Sequence, residues 1–254
     1  VAGVAIATVL AEYAGLVLGL VLAARRWRRL PGGLEPDRLR AVDPLQRLFR
    51  VTGDLVVRTL FLEAAFLGVA ALSARQGEVL LAANAVLLNL VLFQAYALDG
   101  FAFATESLAG RAVGRRARHE LDAALRAAAI WSTGFALVIA FSFLAGGGLA
   151  LALLTGIEEV RSVALRFLPY VGLTPVIGVW AYLFDGLFSG ATQTGELRNG
   201  SILATALFYL VTLPLAQVLG NDGLGVGLLA FVADRGLWLG WRYHRLSRQD
   251  RFLA

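Results

Sequence analysis

The chain has 254 residues, of which 58% are hydrophobic and 16% charged, and its formal net charge is +5. A soluble domain is about half apolar and about a quarter charged, so this composition, with a mean hydropathy of +0.71, excludes an ordinary soluble protein. The absence of cysteine excludes disulfides and thiolate metal sites, and two distant histidines make a poor metal site.

Several apolar stretches reach the roughly 20 residues that a helix needs to cross a bilayer. They are too long and continuous for the roughly ten-residue alternation of a transmembrane barrel, so the predicted fold is all-α, a polytopic helical membrane protein with about seven transmembrane helices. In chain order the predicted spans cover residues 2–24, 48–74, 79–109, 122–145, 167–191, 200–219 and 224–241. The glycine triplet 146–148 is expected to end the fourth span, with a short helix and a loop before the fifth.

Arginines are concentrated beside the ends of these spans. The strongly basic segments follow spans one, three and seven, which all lie on one side of the membrane if there are seven crossings. Cytoplasmic loops carry the excess of basic residues, so we expect the C-terminus in the cytoplasm and Val1 near the outer face of the plasma (inner) membrane. The same distribution argues against a nucleic-acid partner.

Four acidic residues lie inside segments that otherwise belong in lipid: Asp185, Asp99, Glu63 and Glu12. A carboxylate at membrane depth is costly and usually faces a water-filled cavity or an ion path, which predicts transport. No phosphate loop, zinc signature or triad with a buried histidine is present, so we do not expect an enzyme.

Other polar residues within the spans have a structural interpretation. Asp54 and Arg58 are four residues apart, a spacing that brings helical side chains together, and they predict a local structural ion pair. Asp234 and Arg235 suggest a second neutralised pair. A further group is expected either to line a cavity or to form hydrogen bonds between helices: Glu12, Glu106, Asn84 and Asn89.

Three segments resemble one transporter family. These are ALDGFAFATESLAGRAVG, PVIGVWAYLFDGLFSGATQTGELRNG and LGNDGLG, together with the opening IATVLAEYAGLVLGL and DLVVRTL. They are similar to the DinF-like branch of the MATE (multidrug and toxic compound extrusion) transporters, whose members have twelve spans in two lobes. The resemblance implies that residues 1–24 are the last span of an N-terminal lobe, residues 25–47 a cytoplasmic basic linker, and residues 48–254 the six-helix C-terminal lobe. The chain has no methionine and opens inside a span, so we expect a piece of a longer protein or a truncated gene model.

The resemblance also implies roles for single residues. Asp185 matches an aspartate of a cation site in sodium-coupled relatives, and Glu63 matches a glutamate that pairs with it. Asp99 is expected to line the cavity, and Glu106 lies in the same motif. Tyr182 is a candidate cavity residue, because aromatic faces bind large cations. The implied coupling ion is H⁺ or Na⁺, with no other metal or cofactor.

The predicted function is therefore that of the C-terminal half of a cation-coupled antiporter that exports drugs or toxic organic compounds. Its expected partners are membrane lipids, a small cationic or amphipathic substrate and the missing N-terminal lobe. One alternative is a lipid-linked-sugar flippase of the same superfamily, whose cavity carries basic residues; acidic charges at membrane depth argue against it. Another alternative is a non-transporting, truncated membrane module.

Overall fold

The computed structural model of the chain describes residues 2–28, 42–249 and 252. These residues form seven α-helices and no strand, which confirms the predicted all-α fold. In chain order the helices are α1 (Ala2–Trp27), α2 (Val42–Ala74), α3 (Glu78–Gly114), α4 (Arg118–Leu154), α5 (Glu158–Gly190), α6 (Thr194–Leu219) and α7 (Asn221–Arg248). All seven are long and apolar enough to cross a membrane. The chain is a multi-pass membrane protein.

The connections between α2 and α7 are short, and several need unusual backbone angles. Gly77 and Gly220 have φ values of +124° and +58°, which glycine adopts without a steric penalty. Arg116 and Thr192 take the same left-handed region, with φ values of 54° and 55°. These tight turns require successive helices to run antiparallel.

The prediction that residues 146–148 end the fourth span is wrong, because α4 continues through them to Leu154. A helix in lipid must satisfy its backbone groups internally, which opposes a break there. The absence of a side chain also has a packing role: a Cβ at Gly147 would collide with Leu168 of α5. The connection to α5 comes later, at residues 155–157.

The chain divides into two compact units, residues 1–46 and 47–254. The first unit contains α1, whose described side chains are exposed along its whole length, Glu12 among them. Most of the predicted basic linker, residues 29–41, lies outside the described residues. The second unit contains the candidate site.

Within the second unit, α5 is the central helix and packs against α3, α4 and α7, while α6 packs mainly on α7. The α3–α5 contact is close enough for backbones to touch. A Cβ at Gly186 would collide with the carbonyl oxygen of Ala102, and one at Gly190 with that of Glu106. Small residues allow this approach between helices that have no hydrophobic driving force to associate in lipid.

Helix α2 is attached to α6 through hydrogen bonds to its backbone. The hydroxyl of Thr205 donates to the carbonyl of Phe61 at 2.8 Å, and that of Tyr209 to the carbonyl of Ala64 at 2.7 Å. The tyrosine ring also lies against Gly68, where a Cβ would be 2.7 Å from its hydroxyl oxygen. These contacts place the middle of α2 beside the bundle.

Candidate functional site in a buried charge cluster

Asp185 lies on α5 and is only 8% exposed. Its Oδ2 atom accepts hydrogen bonds from two guanidinium groups, Nη2 of Arg58 on α2 and Nη2 of Arg235 on α7, both at 2.5 Å. Hydrogen bonds between charged groups are shorter and stronger than neutral ones. The carboxylate therefore joins three helices at one point.

Arg235 is held in place by aromatic rings as well as by Asp185. It is 6% exposed, and its guanidinium carbon lies 6.0 Å from the ring centre of Tyr182 and 5.8 Å from that of Phe231. The negative face of an aromatic ring attracts a cation at such distances. Tyr182, predicted as a cavity residue, thus contacts an arginine of the protein itself.

Asp99 on α3 adds a second carboxylate to this group. It is half-buried and within electrostatic range of Asp185, Arg58 and Arg235, but it forms no ion pair with either arginine. We refer to Arg58, Asp99, Asp185 and Arg235 as the charge quartet. Its two carboxylates and two guanidinium groups sum to zero formal charge, so one added proton leaves the cluster with a net charge of +1.

The predicted ion pair between Asp54 and Arg58 is wrong. Arg58 reaches Asp185, and Asp54 instead accepts hydrogen bonds from Nη1 of Arg198 at 2.7 Å and the hydroxyl of Thr194 at 3.0 Å. Spacing along one helix permits a local pair, but partners on α5 and α6 are closer. The predicted pair of Asp234 and Arg235 is wrong for the same reason, because Arg235 forms its ion pair with Asp185 instead.

The structure does not bring Glu63 into the quartet. This glutamate lies on α2, is exposed, and forms no ion pair with any residue that the structure describes. It is five residues from Arg58, a spacing that turns a helix by about 140° and directs the two side chains apart. Glu106 is half-buried on α3, where its backbone carbonyl lies against Gly190.

The two asparagines of α3 differ in their surroundings. Asn84 is buried, donates to Ser73 and Asn221 at 2.6 Å each, and accepts from Asn221 at 3.2 Å, so it connects α2, α3 and α7. Asn89 is exposed and donates at 3.1 Å to the carbonyl of Ala85 on its own helix. Of the two, only Asn84 therefore hydrogen-bonds another helix.

A small cavity of about 20 Å³ borders Arg235 and is lined by Gln94, Thr174 and Tyr182 among others. The amide nitrogen of Gln94 donates to the Thr174 hydroxyl, which donates at 2.7 Å to the carbonyl of Val171. That carbonyl lacks its usual helical donor because residue 175 is proline. A cavity of this size holds a single water molecule.

A larger apolar groove of about 410 Å³ lies between α5 and α7. Its lining includes Trp180, Phe184, Gly236, Leu237 and Gly240. Ligand pockets in proteins measure about 300–1,000 Å³ and are mostly apolar. The groove thus offers an apolar, aromatic surface on this lobe, and none of the four quartet residues lines it.

The described residues fit a sodium ion poorly. No group of three or more histidine or acidic side chains within residues 2–28, 42–249 and 252 is placed to hold a metal ion. A hard cation needs several oxygen ligands, and Oδ2 of Asp185 already faces two guanidinium groups. The carboxylates of the quartet therefore do not form a sodium site by themselves.

Sequence reasoning did not place the two arginines of the quartet beside Asp185. Each had a recognisable signal, because Arg58 and Arg235 lie in the middle of apolar spans, where a charged side chain needs a partner. Their positions also correct the expectation that charges at membrane depth are acidic.

A bundle of membrane-crossing helices around a balanced cluster of buried charges has the features of a membrane transporter. The MatE family model matches residues 56–218, more than half of the chain, and the chain belongs to this family. Members of the family are transporters and not enzymes.

Two curated relatives match nearly the whole chain. DNA damage-inducible protein F of Escherichia coli is 40% identical over 248 residues, which is 96% of this chain and 53% of that protein. Protein DETOXIFICATION 44, chloroplastic, of Arabidopsis thaliana is 25% identical over 246 residues, 95% of this chain and 45% of that protein. The chain thus spans about half the length of the curated relatives it matches.

Two solved structures share the fold at 16% identity. A MATE protein in a bent conformation gives a TM-score of 0.76 and is matched over 84% of this chain and 48% of its own. A MOP superfamily transporter from Pyrococcus furiosus, described as having a binding pocket of reverse polarity, gives a TM-score of 0.74. It is matched over 82% of this chain and 46% of its own. At this identity the likeness concerns the fold alone.

Proposed function

We propose that the chain is the C-terminal lobe of a cation-coupled antiporter, with H⁺ favoured over Na⁺, that exports drugs or toxic organic compounds. The observation that carries this proposal is the charge quartet, in which two carboxylates and two guanidinium groups from four helices lie together with no net charge. Its partners would be an N-terminal lobe, membrane lipids and a small cationic or amphipathic substrate.

Protonation of the quartet supplies a physical basis for coupling. With both carboxylates ionised, the partly buried guanidinium group of Arg58 and the buried one of Arg235 are neutralised. A proton on Asp99 or Asp185 leaves one uncompensated positive charge in a medium where an unpaired ion costs several kcal/mol. That cost favours a state in which the arginines reach water or the substrate leaves, so proton entry and cargo release become linked.

The apolar groove is the proposed contact for the cargo on this lobe. Trp180 and Phe184 present aromatic faces there, five residues and one residue before Asp185, respectively. Aromatic faces bind flat organic cations, which gives this groove an affinity for such a cargo. We also propose a division of the chain into three segments. Residues 1–24 are the last span of the first lobe, residues 25–47 are its cytoplasmic linker, and residues 48–254 are the C-terminal lobe.

The proposed location is the plasma (inner) membrane with a cytoplasmic C-terminus, on the basis of the arginine-rich segments. A reporter that is active only in the cytoplasm, fused after Ala254 and separately into the 155–157 connection, tests it. We expect activity from the first fusion alone. Activity from the second alone would reverse the proposed orientation.

The export function is tested with the complete protein in bacteria that lack their main efflux pumps. Cells carrying the wild type should retain little ethidium, a flat organic cation, and Asp185→Asn should raise retention to that of cells without the protein. Asp122→Asn, at a partly exposed carboxylate that bonds Arg118 and Tyr243, is the matched control and should export normally. Normal export by Asp185→Asn would remove the quartet from the mechanism.

Ionophores then separate the coupling ions. Collapse of the proton gradient should stop export, and collapse of a sodium gradient should not. Export that survives both treatments would contradict cation coupling.

The flippase alternative gains one observation, because Arg58 and Arg235 place positive charge at membrane depth. Both guanidinium groups are engaged by Asp185, which leaves them less available to a pyrophosphate. Vesicles that contain the complete protein and a fluorescent pyrophosphate-linked lipid decide the point. Transfer of this lipid without ethidium export would replace the antiporter proposal.

A further inference from the structure

Asp234 on α7 is an acidic side chain that the charge quartet does not use. It is half-buried, and its Oδ2 atom is shielded from solvent and has no hydrogen-bond partner. Asp54 and Asp185 form ion pairs with arginines, whereas the arginine next to Asp234 in sequence turns away to Asp185. A half-buried carboxylate without a cation is costly at membrane depth.

The orientation of Asp234 follows from its neighbours on the same helix. Residues 227, 234 and 238 are seven and four positions apart, so they lie on one face of α7. Gly227 lies against Thr212, and the indole of Trp238 lies against Gly200; both contacts are with α6. Asp234 therefore faces the α6–α7 interface, between these two contacts.

This interface contains further buried polar atoms without partners. They are the hydroxyl oxygen of Thr212 and the indole nitrogen Nε1 of Trp238. Buried polar groups are normally hydrogen-bonded, so a group of exceptions on one interface needs an explanation. Asp234 and Trp238 are one helical turn apart, and one is an acceptor while the other is a donor.

No basic side chain from the packed helices compensates Asp234. The titratable residues of α6 are Glu196, Arg198 and Tyr209, which bond to Arg242, Asp54 and the carbonyl of Ala64, respectively. On α5, Tyr182 and Asp185 face Arg235, and Arg58 of α2 also bonds Asp185. The remaining route to neutrality is a proton.

We propose that Asp234 is a second proton-binding site, separate from the charge quartet, and that Trp238 donates a hydrogen bond to its ionised form. In the protonated form the carboxyl group carries no charge and its own O–H can donate. Loss of the proton to water leaves a carboxylate. The indole of Trp238, one turn away on the same face and not bonded to Asp234 in this structure, would then turn its N–H toward it. A sodium ion is disfavoured because the available neighbour is a donor, not an oxygen ligand.

Infrared difference spectroscopy of the complete protein, between acidic and alkaline buffer, tests the proposal directly. A protonated carboxyl group gives a C=O stretching band, and a band from Asp234 should disappear in Asp234→Asn. It should persist in Asp122→Asn, the control, and in Trp238→Phe it should disappear only at a higher pH, because the ionised form has lost its hydrogen-bond donor. An unchanged spectrum in Asp234→Asn would overturn the proposal.

Two additions keep the experiment decisive. Asp234→Glu retains the carboxyl group and serves if Asp234→Asn fails to fold. A band that changes frequency in Asp234→Glu and that disappears at a higher pH in Trp238→Phe supports the site. A band unchanged in both variants refutes it. Replacing choline with sodium at constant pH should leave the band in place; its loss would refute proton selectivity. The readout needs no transport, so its failure is distinct from failure of the export proposal.

Discussion

Charge balance in the quartet makes a quantitative prediction for Asp185→Asn and Arg235→Gln. The first replacement leaves a net charge of +1 among the four residues and the second leaves −1. Removing one member of a buried ion pair costs about 3–5 kcal/mol, because the other member stays buried and uncompensated. The double variant leaves Arg58 with Asp99 and restores neutrality, so it should be less destabilised than the sum of the single variants.

The size of this rescue follows from the contacts. Asp185 and Arg235 have side chains only 11% and 7% exposed, so solvent screens their interaction weakly. We expect a coupling free energy of about 1–3 kcal/mol, in the range for residues that share one network. Reversible denaturant unfolding of the complete protein in detergent, extrapolated linearly to zero denaturant, measures all four free energies.

The control is the pair Arg118 and Asp122, which has the same chemistry but side chains 43% and 41% exposed. Its coupling should be about 0.3–0.5 kcal/mol, as for exposed pairs one turn apart. If the single variants at the quartet add to within about 0.5 kcal/mol, the two charges do not act as a balanced unit. Charge balance would then not explain the buried arginines.

Two further predictions concern packing and backbone satisfaction, and the same unfolding assay measures both. Gly186→Ala should destabilise the protein by about 1–3 kcal/mol, because the added Cβ collides with the backbone of α3. Gly134→Ala is the control: its Cβ meets open space, so this variant should be more stable by about 0.4–1 kcal/mol. Similar effects of the two substitutions would contradict the close α3–α5 contact. Thr174→Val should lower the free energy of unfolding by about 1–3 kcal/mol, because the carbonyl of Val171 loses its hydrogen-bond donor. Thr212→Val removes a hydroxyl without a partner and should be neutral or stabilising. An equal loss of stability at both positions would refute this assignment.

The helices were predictable from the sequence, and the ion pairs between them were not. Lipid requires long apolar segments with internally satisfied backbones, which a local pattern reveals. The prediction placed Arg58 with Asp54 because spacing along one helix is also local. Its actual partner, Asp185, is 127 residues away, and only the packing of α2 on the bundle decides which side chains meet.

The site residues divide in the same way. Burial of Asp185 and Asn84 could be inferred from polar side chains within apolar spans. The exposure of Glu63 and Asn89 could not be inferred. Lipid and protein interior are equally apolar, so the sequence pattern hardly distinguishes the face of a helix that packs on its neighbours from the face that meets lipid. The misplaced end of α4 has a related origin, since glycine breaks helices in water but also permits close packing in lipid.

The backbone contact between α3 and α5 restricts which parts of the lobe can move. With Gly186 against Ala102 and Gly190 against Glu106, neither helix can slide or rotate past the other without steric overlap. We expect the two to travel as one stiff element. Conformational change must then occur where long side chains make the connection, as they do around α2, and hydrogen exchange should be faster in α2 than in the α3–α5 pair.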